Sequence, residues 1–148
     1  MRQAAEDKLW PPGFAVWLKI AVLHARATHR LADLLRPHAL TVAQHDALAH
    51  LYVDDGISQQ ALAQRLLVSK GNVTGLVNRL ADQGLVERRD DPEDRRARRI
   101  TLTAAGRRTA EKALREQAKL VASMMSVLSD KDQETLRRLL DRMAQQLR

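Results

Sequence analysis

Between residues 58 and 103 the spacing of apolar side chains changes from about 3.6 to about 2, and few folds accommodate that change in so short a stretch. In QQALAQRLL, Leu62 and Leu66 share one face behind Ser58, a candidate helix cap whose capping-box partner is missing because position 61 is Ala. Ser69 caps the next stretch, KGNVTGLVNRLADQ. There Val73, Val77 and Leu80, with Leu76 beside them, form an inner stripe, and Gly84 is the expected stop. From Leu85 to Thr103 the rhythm differs. Val86, Ile100 and Leu102 alternate with Glu87, Arg99 and Thr101, and Asp90, Asp91 and Pro92 punctuate a hairpin turn. Two short helices joined by about three residues, followed by glycine and a hairpin, describe a helix-turn-helix.

The flanks are helical. Residues 14–36 set Phe14, Trp17, Ile20, Ala21, His24, Ala27, Leu31, Leu34 and Leu35 on one stripe, and Pro37 ends it. Thr41 precedes VAQHDALAHLYV, with Ala43, Ala47, Leu48, Leu51 and Tyr52 expected inward and Asp54, Asp55 and Gly56 as its stop. Thr103 caps a long helix, predicted over 104–128, with Ala110, Ala113, Leu114, Leu120, Val121, Met124, Met125 and Leu128 inside. Ser129 and Asp130 begin a last helix with Leu136, Leu140, Met143 and Leu147 at a/d-like steps. These terminal helices carry more apolar stripe than one small domain covers, which predicts an obligate homodimer built from both chain ends. The expected class is therefore mainly α with a small β-hairpin: one domain over 1–148, with 14–36 and 104–148 for dimerisation and 41–103 as the functional lobe.

Composition removes several functions. With no cysteine there are no disulfides, thiolate metal sites or thiol-based oxidation sensing. The start of the chain lacks the apolar run of a signal peptide and no stretch approaches 18 apolar residues, so a cytoplasmic protein with no membrane partner is expected. There is no glycine-rich phosphate loop and no HExxH, and all five histidines (24, 29, 38, 45 and 50) lie in the first 50 residues. We therefore expect no enzyme, cofactor or metal site. The net charge of +7 arises after residue 56: basic against acidic groups number six and six over 1–56, nine and six over 57–103, and ten and six over 104–148. Such a balance favours a polyanionic partner.

The outer face of the stretch 70–83 points the same way. Opposite its inner stripe lie Gly71, Gly75, Asn78 and Asp82, flanked by Lys70, Asn72, Thr74 and Arg79. Glycine inside a helix costs about 1 kcal/mol relative to alanine, so two on an exposed face call for a closely approaching surface. The candidate DNA contacts here are Ser69, Lys70, Gly71, Asn72, Thr74, Gly75, Asn78 and Arg79, whose types suit phosphates and base edges. In the hairpin, DDPEDRRARR holds eight charged residues in ten, and arginine is the only base used from 84 to 103, at 88, 89, 95, 96, 98 and 99. A guanidinium fits a narrow minor groove, and a carboxylate two residues away, Asp94 for Arg96, can aim it. Taken alone, the same run also reads as an exposed, self-neutralising loop.

The run ISQQALAQRLLVSKGNVTGLVNRLADQGLVERRDDPEDRRARRITLTAAG resembles the winged-helix core of the MarR/SlyA family of bacterial transcriptional regulators. Its most specific part is DPEDRRARRITLTAAG, where Asp91, Pro92, Asp94, Arg95, Arg96, Leu102, Thr103 and Gly106 match the family's wing motif. The resemblance implies a homodimer of winged helices, joined by interleaved N- and C-terminal helices, on a pseudo-palindromic double-stranded operator. It implies Arg96 as the minor-groove arginine and Asp94 as its orienting partner, with Arg95 competing for the tip and Arg98 beside them. A ligand-responsive repressor is the expected role; a protein-protein adaptor on the same scaffold would leave the arginines and the glycine face unexplained. Two positions depart from the pattern: Leu67 stands where many members have glycine, and His45 where a large aromatic is common. The family's small aromatic or anionic effectors imply Trp17, His24 and His45 as candidate contacts, against a plainer reading with Trp17 in the core and His24 at the dimer seam.

Overall fold

Five helices begin where a serine or threonine accepts a hydrogen bond from the backbone N–H three residues on. The structure, a computed structural model, describes residues 10–91 and 98–147. Helix α1 spans Phe14–Leu35 and runs into a single 3-10 turn, Arg36–His38, at Pro37. Helix α2 spans Val42–Val53, strand β1 Ile57–Ser58, helix α3 Gln59–Arg65 and helix α4 Lys70–Asp82. Strands β2, Val86–Asp90, and β3, Arg98–Leu102, are followed by α5, Ala104–Met125, and α6, Asp130–Gln145. The caps of α2 to α6 are Thr41, Ser58, Ser69, Thr103 and Ser129. At Thr41 the box is complete, since Gln44 returns a side-chain acceptor to the cap N–H.

The strands form one antiparallel sheet in the order β1-β3-β2. Val86 faces Leu102 and Arg88 faces Ile100, so the apolar members of the alternation turn inward together. Strand β1 is new relative to the sequence reading. Ile57 and Ser58 pair with Ile100 and Arg99, and two residues are too few to show a period. Three helical details also differ. The long helix stops at Met125, not 128, because the Gln133 amide donates to the Met125 and Leu128 carbonyls and closes the end. Ala43 is exposed, because Gln44 and His45 take the buried positions of the first turn of α2. Val121, expected inward, is also exposed, at 48%.

Leu35, Leu48, Leu51, Leu62, Val73, Val77, Leu80 and Ile100 are wholly buried and join the helix-turn-helix to the sheet. Ala110 and Ala113 are equally buried; their small size lets α5 lie close against α1 and α2. The outer halves of α1 and α6 are different. Val16, Trp17, Leu18, Leu23, Leu136, Leu139, Leu140 and Met143 stay exposed in the single chain. Among the described residues, no helix is long and apolar enough to cross a membrane.

Two backbone positions carry strong constraints. A Cβ on Gly106 would sit 1.8 Å from the Leu85 carbonyl oxygen, so only glycine permits the first turn of α5 to press on the start of the wing. Leu67 has the opposite problem: it holds φ of 54° in the turn between α3 and α4, while its side chain is 92% exposed. Left-handed backbone costs a branched residue roughly 1–2 kcal/mol, and no burial offsets it here. Gly106→Ala should therefore lower stability by about 3 kcal/mol, read as a fall in the thermal midpoint; an unchanged midpoint would show that the junction yields. Leu67→Gly should raise stability by roughly 0.5–1 kcal/mol, the strain relieved less the entropy of a freer unfolded chain. A lower midpoint for that variant would mean that the leucine side chain stabilises the turn.

Candidate nucleic-acid interface

Helix α4 buries Val73, Leu76, Val77 and Leu80 and turns Lys70, Gly71, Asn72, Thr74, Asn78 and Arg79 to the outside, with Gly75 half-buried among them. A Cβ on Gly71 would meet nothing within 4 Å, and one on Gly75 only the Arg79 guanidinium at 3.6 Å. The fold itself requires neither glycine. Together with Ala43, Val68, Asn72 and Arg79 they floor a shallow groove along the outer face of α4.

The polar groups around that groove are already organised. Ser69 Oγ accepts from the Asn72 N–H at 3.3 Å, which leaves its own proton to donate. Thr74 Oγ1 donates to the Lys70 carbonyl at 2.8 Å and accepts from Gln59 Nε2 at 2.7 Å, so its hydroxyl proton is committed within the protein. Asn78 Oδ1 accepts from Arg88 on β2, which ties the middle of α4 to the root of the hairpin and leaves the Asn78 amide N–H groups to donate elsewhere. Lys70, Asn72 and Arg79 extend from the same exposed face.

At the hairpin root each described arginine has a partner. Arg89 bonds Glu87, and Arg98 lies 2.8 Å from Asp90. Arg99 Nε is 2.7 Å from Asp91 Oδ2, with its Nη1 3.4 Å from the Gly56 carbonyl. The exposed pairs of Arg89 and Arg98 add about 0–1 kcal/mol to stability, whereas Asp91 is sheltered beside Arg99; all of them orient the guanidinium groups. The acids of the charged run therefore act on neighbouring arginines at the root. The pair Asp94 and Arg96, with Arg95, lies outside the described residues. Arg98 is exposed, beside Asp90 on the neighbouring strand.

The three candidate effector residues do not share a pocket. Trp17 is 56% exposed, so it is not a core residue of the single chain; it stacks on Phe14 at 5.4 Å, and Phe14 stacks on Trp10 at 4.0 Å. That aromatic ladder lines a recess with Pro11, Pro12, Val16 and Met143 that includes neither histidine. His24 is exposed on α1, whereas His45 is wholly buried with Nε2 3.0 Å from Gln117 Oε1 on α5.

Several contributors escaped the sequence reading. Gln59, at the start of α3, supports Thr74, and Arg88 holds Asn78. Asp55, read only as a helix stop, accepts from the Leu102 N–H at 2.9 Å and from Arg107 at 2.7 Å. Asp55 thus staples the loop after α2 to the end of β3 and the start of α5. Charge run and helix face were visible as groups, but these partners lie 10 to 52 residues apart, beyond the reach of a local pattern.

Known proteins match this arrangement. The MarR family profile covers residues 38–97. An uncharacterized HTH-type transcriptional regulator of Bacillus cereus is 27% identical over 129 residues, which is 86% of each chain. The S. aureus MepR–DNA complex superposes with a TM-score of 0.80 at 25% identity, over 89% of this chain and 96% of that one. AbsC, a MarR family transcriptional regulator from Streptomyces coelicolor, gives a TM-score of 0.83 at 25% identity, over 90% of this chain and 92% of its own. These relatives are regulators, not enzymes. The helix-turn-helix, the three-stranded sheet and these likenesses give the chain the fold of winged-helix transcriptional regulators, and its residues 38–97 match the MarR family.

Proposed function

We propose that this regulator is a homodimer that reads a pseudo-palindromic duplex with two copies of α4, one per half-site, and touches the flanking minor grooves with its wings. The observation that carries the reading is the outer face of α4. Two glycines that no packing within the chain requires lie among Lys70, Asn72, Asn78 and Arg79. Bare backbone at those positions lets a duplex approach, and the polar groups beside it meet phosphates and base edges. Ser69 and Thr74 complete that face, Ser69 as a donor and Thr74 through its methyl group. In the wing, Arg96 is the proposed minor-groove residue with Asp94 aiming it, Arg95 the alternative, and Arg98 a backbone contact at the root. The fixed directions of the described arginines support this, since a preset guanidinium loses less freedom on binding.

The dimer is supported by the uncovered apolar faces of α1 and α6, where Val16, Ile20, Leu136, Leu139 and Met143 border one continuous recess. A second copy covers both faces and places the two α4 helices about one duplex turn apart, roughly 34–36 Å. For regulation we infer repression relieved by a small aromatic or anionic effector. Trp17 and His24, on α1, are its accessible contacts, and His45 joins only if α2 and α5 separate. Such a protein works in the compartment that holds the chromosome.

A salt-titrated mobility shift on the DNA upstream of the protein's own gene should show a sequence-preferred complex whose affinity falls steeply with salt. No preference over random duplex at any salt concentration would favour the adaptor reading instead. Gly75→Ala should stabilise the fold by ~1 kcal/mol of helix propensity, read as a higher thermal midpoint, while operator affinity falls. Unchanged affinity would remove DNA from that face. Arg96→Ala should cost ~1–3 kcal/mol in operator binding, and no loss would move the role to Arg95.

A further inference from the structure

Two successive residues of α2 bury polar side chains that reach in different directions. Gln44 is 4% exposed and His45 is not exposed at all; consecutive helix positions diverge by about 100° around the axis. Gln44 Oε1 accepts from the Thr41 N–H at 2.9 Å, and its Nε2 donates to Gln83 Oε1 at 3.0 Å. Gln83 is the C-terminal cap of α4. On the other side His45 Nε2 lies 3.0 Å from Gln117 Oε1, within α5. With that oxygen as acceptor the imidazole proton sits on Nε2, and Nδ1 is left buried without a partner.

This arrangement is costly as core packing. A leucine at 45 would fill the space without an orphaned nitrogen, and the Thr41 cap needs only the Gln44 oxygen, not the buried amide nitrogen that turns to Gln83. Its distinguishing property is direction: an apolar contact between helices tolerates sliding, whereas a hydrogen bond holds within a few tenths of an ångström and a limited angle. Gln44 fastens α2 to the end of the recognition helix, and His45 fastens α2 to the helix that leads to the uncovered apolar face. The offset between α4 and α5 is thereby held through one turn of α2. In a two-fold dimer that offset occurs twice, so any change in it is doubled in the separation of the two recognition helices.

We infer that the Gln83–Gln44 and His45–Gln117 hydrogen bonds set the half-site spacing that this regulator accepts. The inference rests on the dimeric DNA-binding reading proposed above. Gln44, Gln83, His45 and Gln117 are positioning residues in this account and touch no base.

The test uses the full chain and a duplex selected from a random-sequence pool by the wild-type protein, with variants carrying one base pair more or fewer between half-sites. Wild type should prefer the selected spacing. Gln83→Leu, which removes the acceptor at the end of α4, should reduce that preference at least fivefold. Gln117→Leu should act in the same direction from the other side. Gln83→Glu keeps an acceptor for Gln44 Nε2 and should keep the preference, although its charge lowers affinity for all three duplexes. Equal loss on all three duplexes for Gln83→Leu and Gln117→Leu, or an unchanged preference, overturns the inference and leaves DNA binding intact. A wild-type protein that selects no sequence at all overturns the DNA reading and this inference with it.

Discussion

The junction between the wing and α5 is the contact on which the rest of the lobe depends. Leu80 accepts from the Leu85 N–H at 2.9 Å as α4 ends, and the Leu85 carbonyl in turn accepts from the Thr103 N–H at 3.1 Å. Thr103 spends its hydroxyl twice, donating to the Gly84 carbonyl at 2.7 Å and capping α5 through the Gly106 N–H at 2.9 Å. Gly106 allows all of this, because any Cβ there would occupy the space of the Leu85 carbonyl. Helix α4, the sheet and helix α5 therefore meet within one or two residues of each other. Asp55 reinforces the same corner from the loop after α2.

That junction gives the polar surface its meaning. A row of arginines on a flexible hairpin would neutralise nearby acids and little else. Here the root of the hairpin is held by Arg88 on Asn78 and by Arg99 on Asp91 and the Gly56 carbonyl, so the outer face of α4 is tied to the described part of the hairpin. The glycine face of α4 is unoccupied by the protein's own side chains apart from Arg79. Stability is given up at those two positions and at Leu67, all within the helix-turn-helix, while the buried core beneath is continuous. Local sacrifice on a well-packed scaffold is the pattern expected of a surface shaped for a partner.

The buried polar pair of α2 belongs to the same logic. Gln44 and His45 stand where periodicity would place aliphatic residues, and Ala43 is displaced to the surface as a result. They give α2 directional attachments on both sides, one to α4 and one to α5.

Much of the fold was legible in the chain. Helix starts need only a hydroxyl and a backbone N–H three residues on, so Ser58, Ser69, Thr103 and Ser129 could be read in place. The shift from helical to alternating spacing fixed α3, α4 and the hairpin for a similar reason, since each period depends on neighbours a few residues away. The exposed glycine face and the arginine run were visible because composition and spacing are local properties. What only the tertiary structure decided involves residues far apart in sequence. The two-residue strand β1 exists because β3 offers it a partner, and Asn78, Thr74 and His45 acquired partners 10, 15 and 72 residues away. A hydrogen bond between distant residues has no period and no composition; it comes into being when packing brings the two groups within about 3 Å.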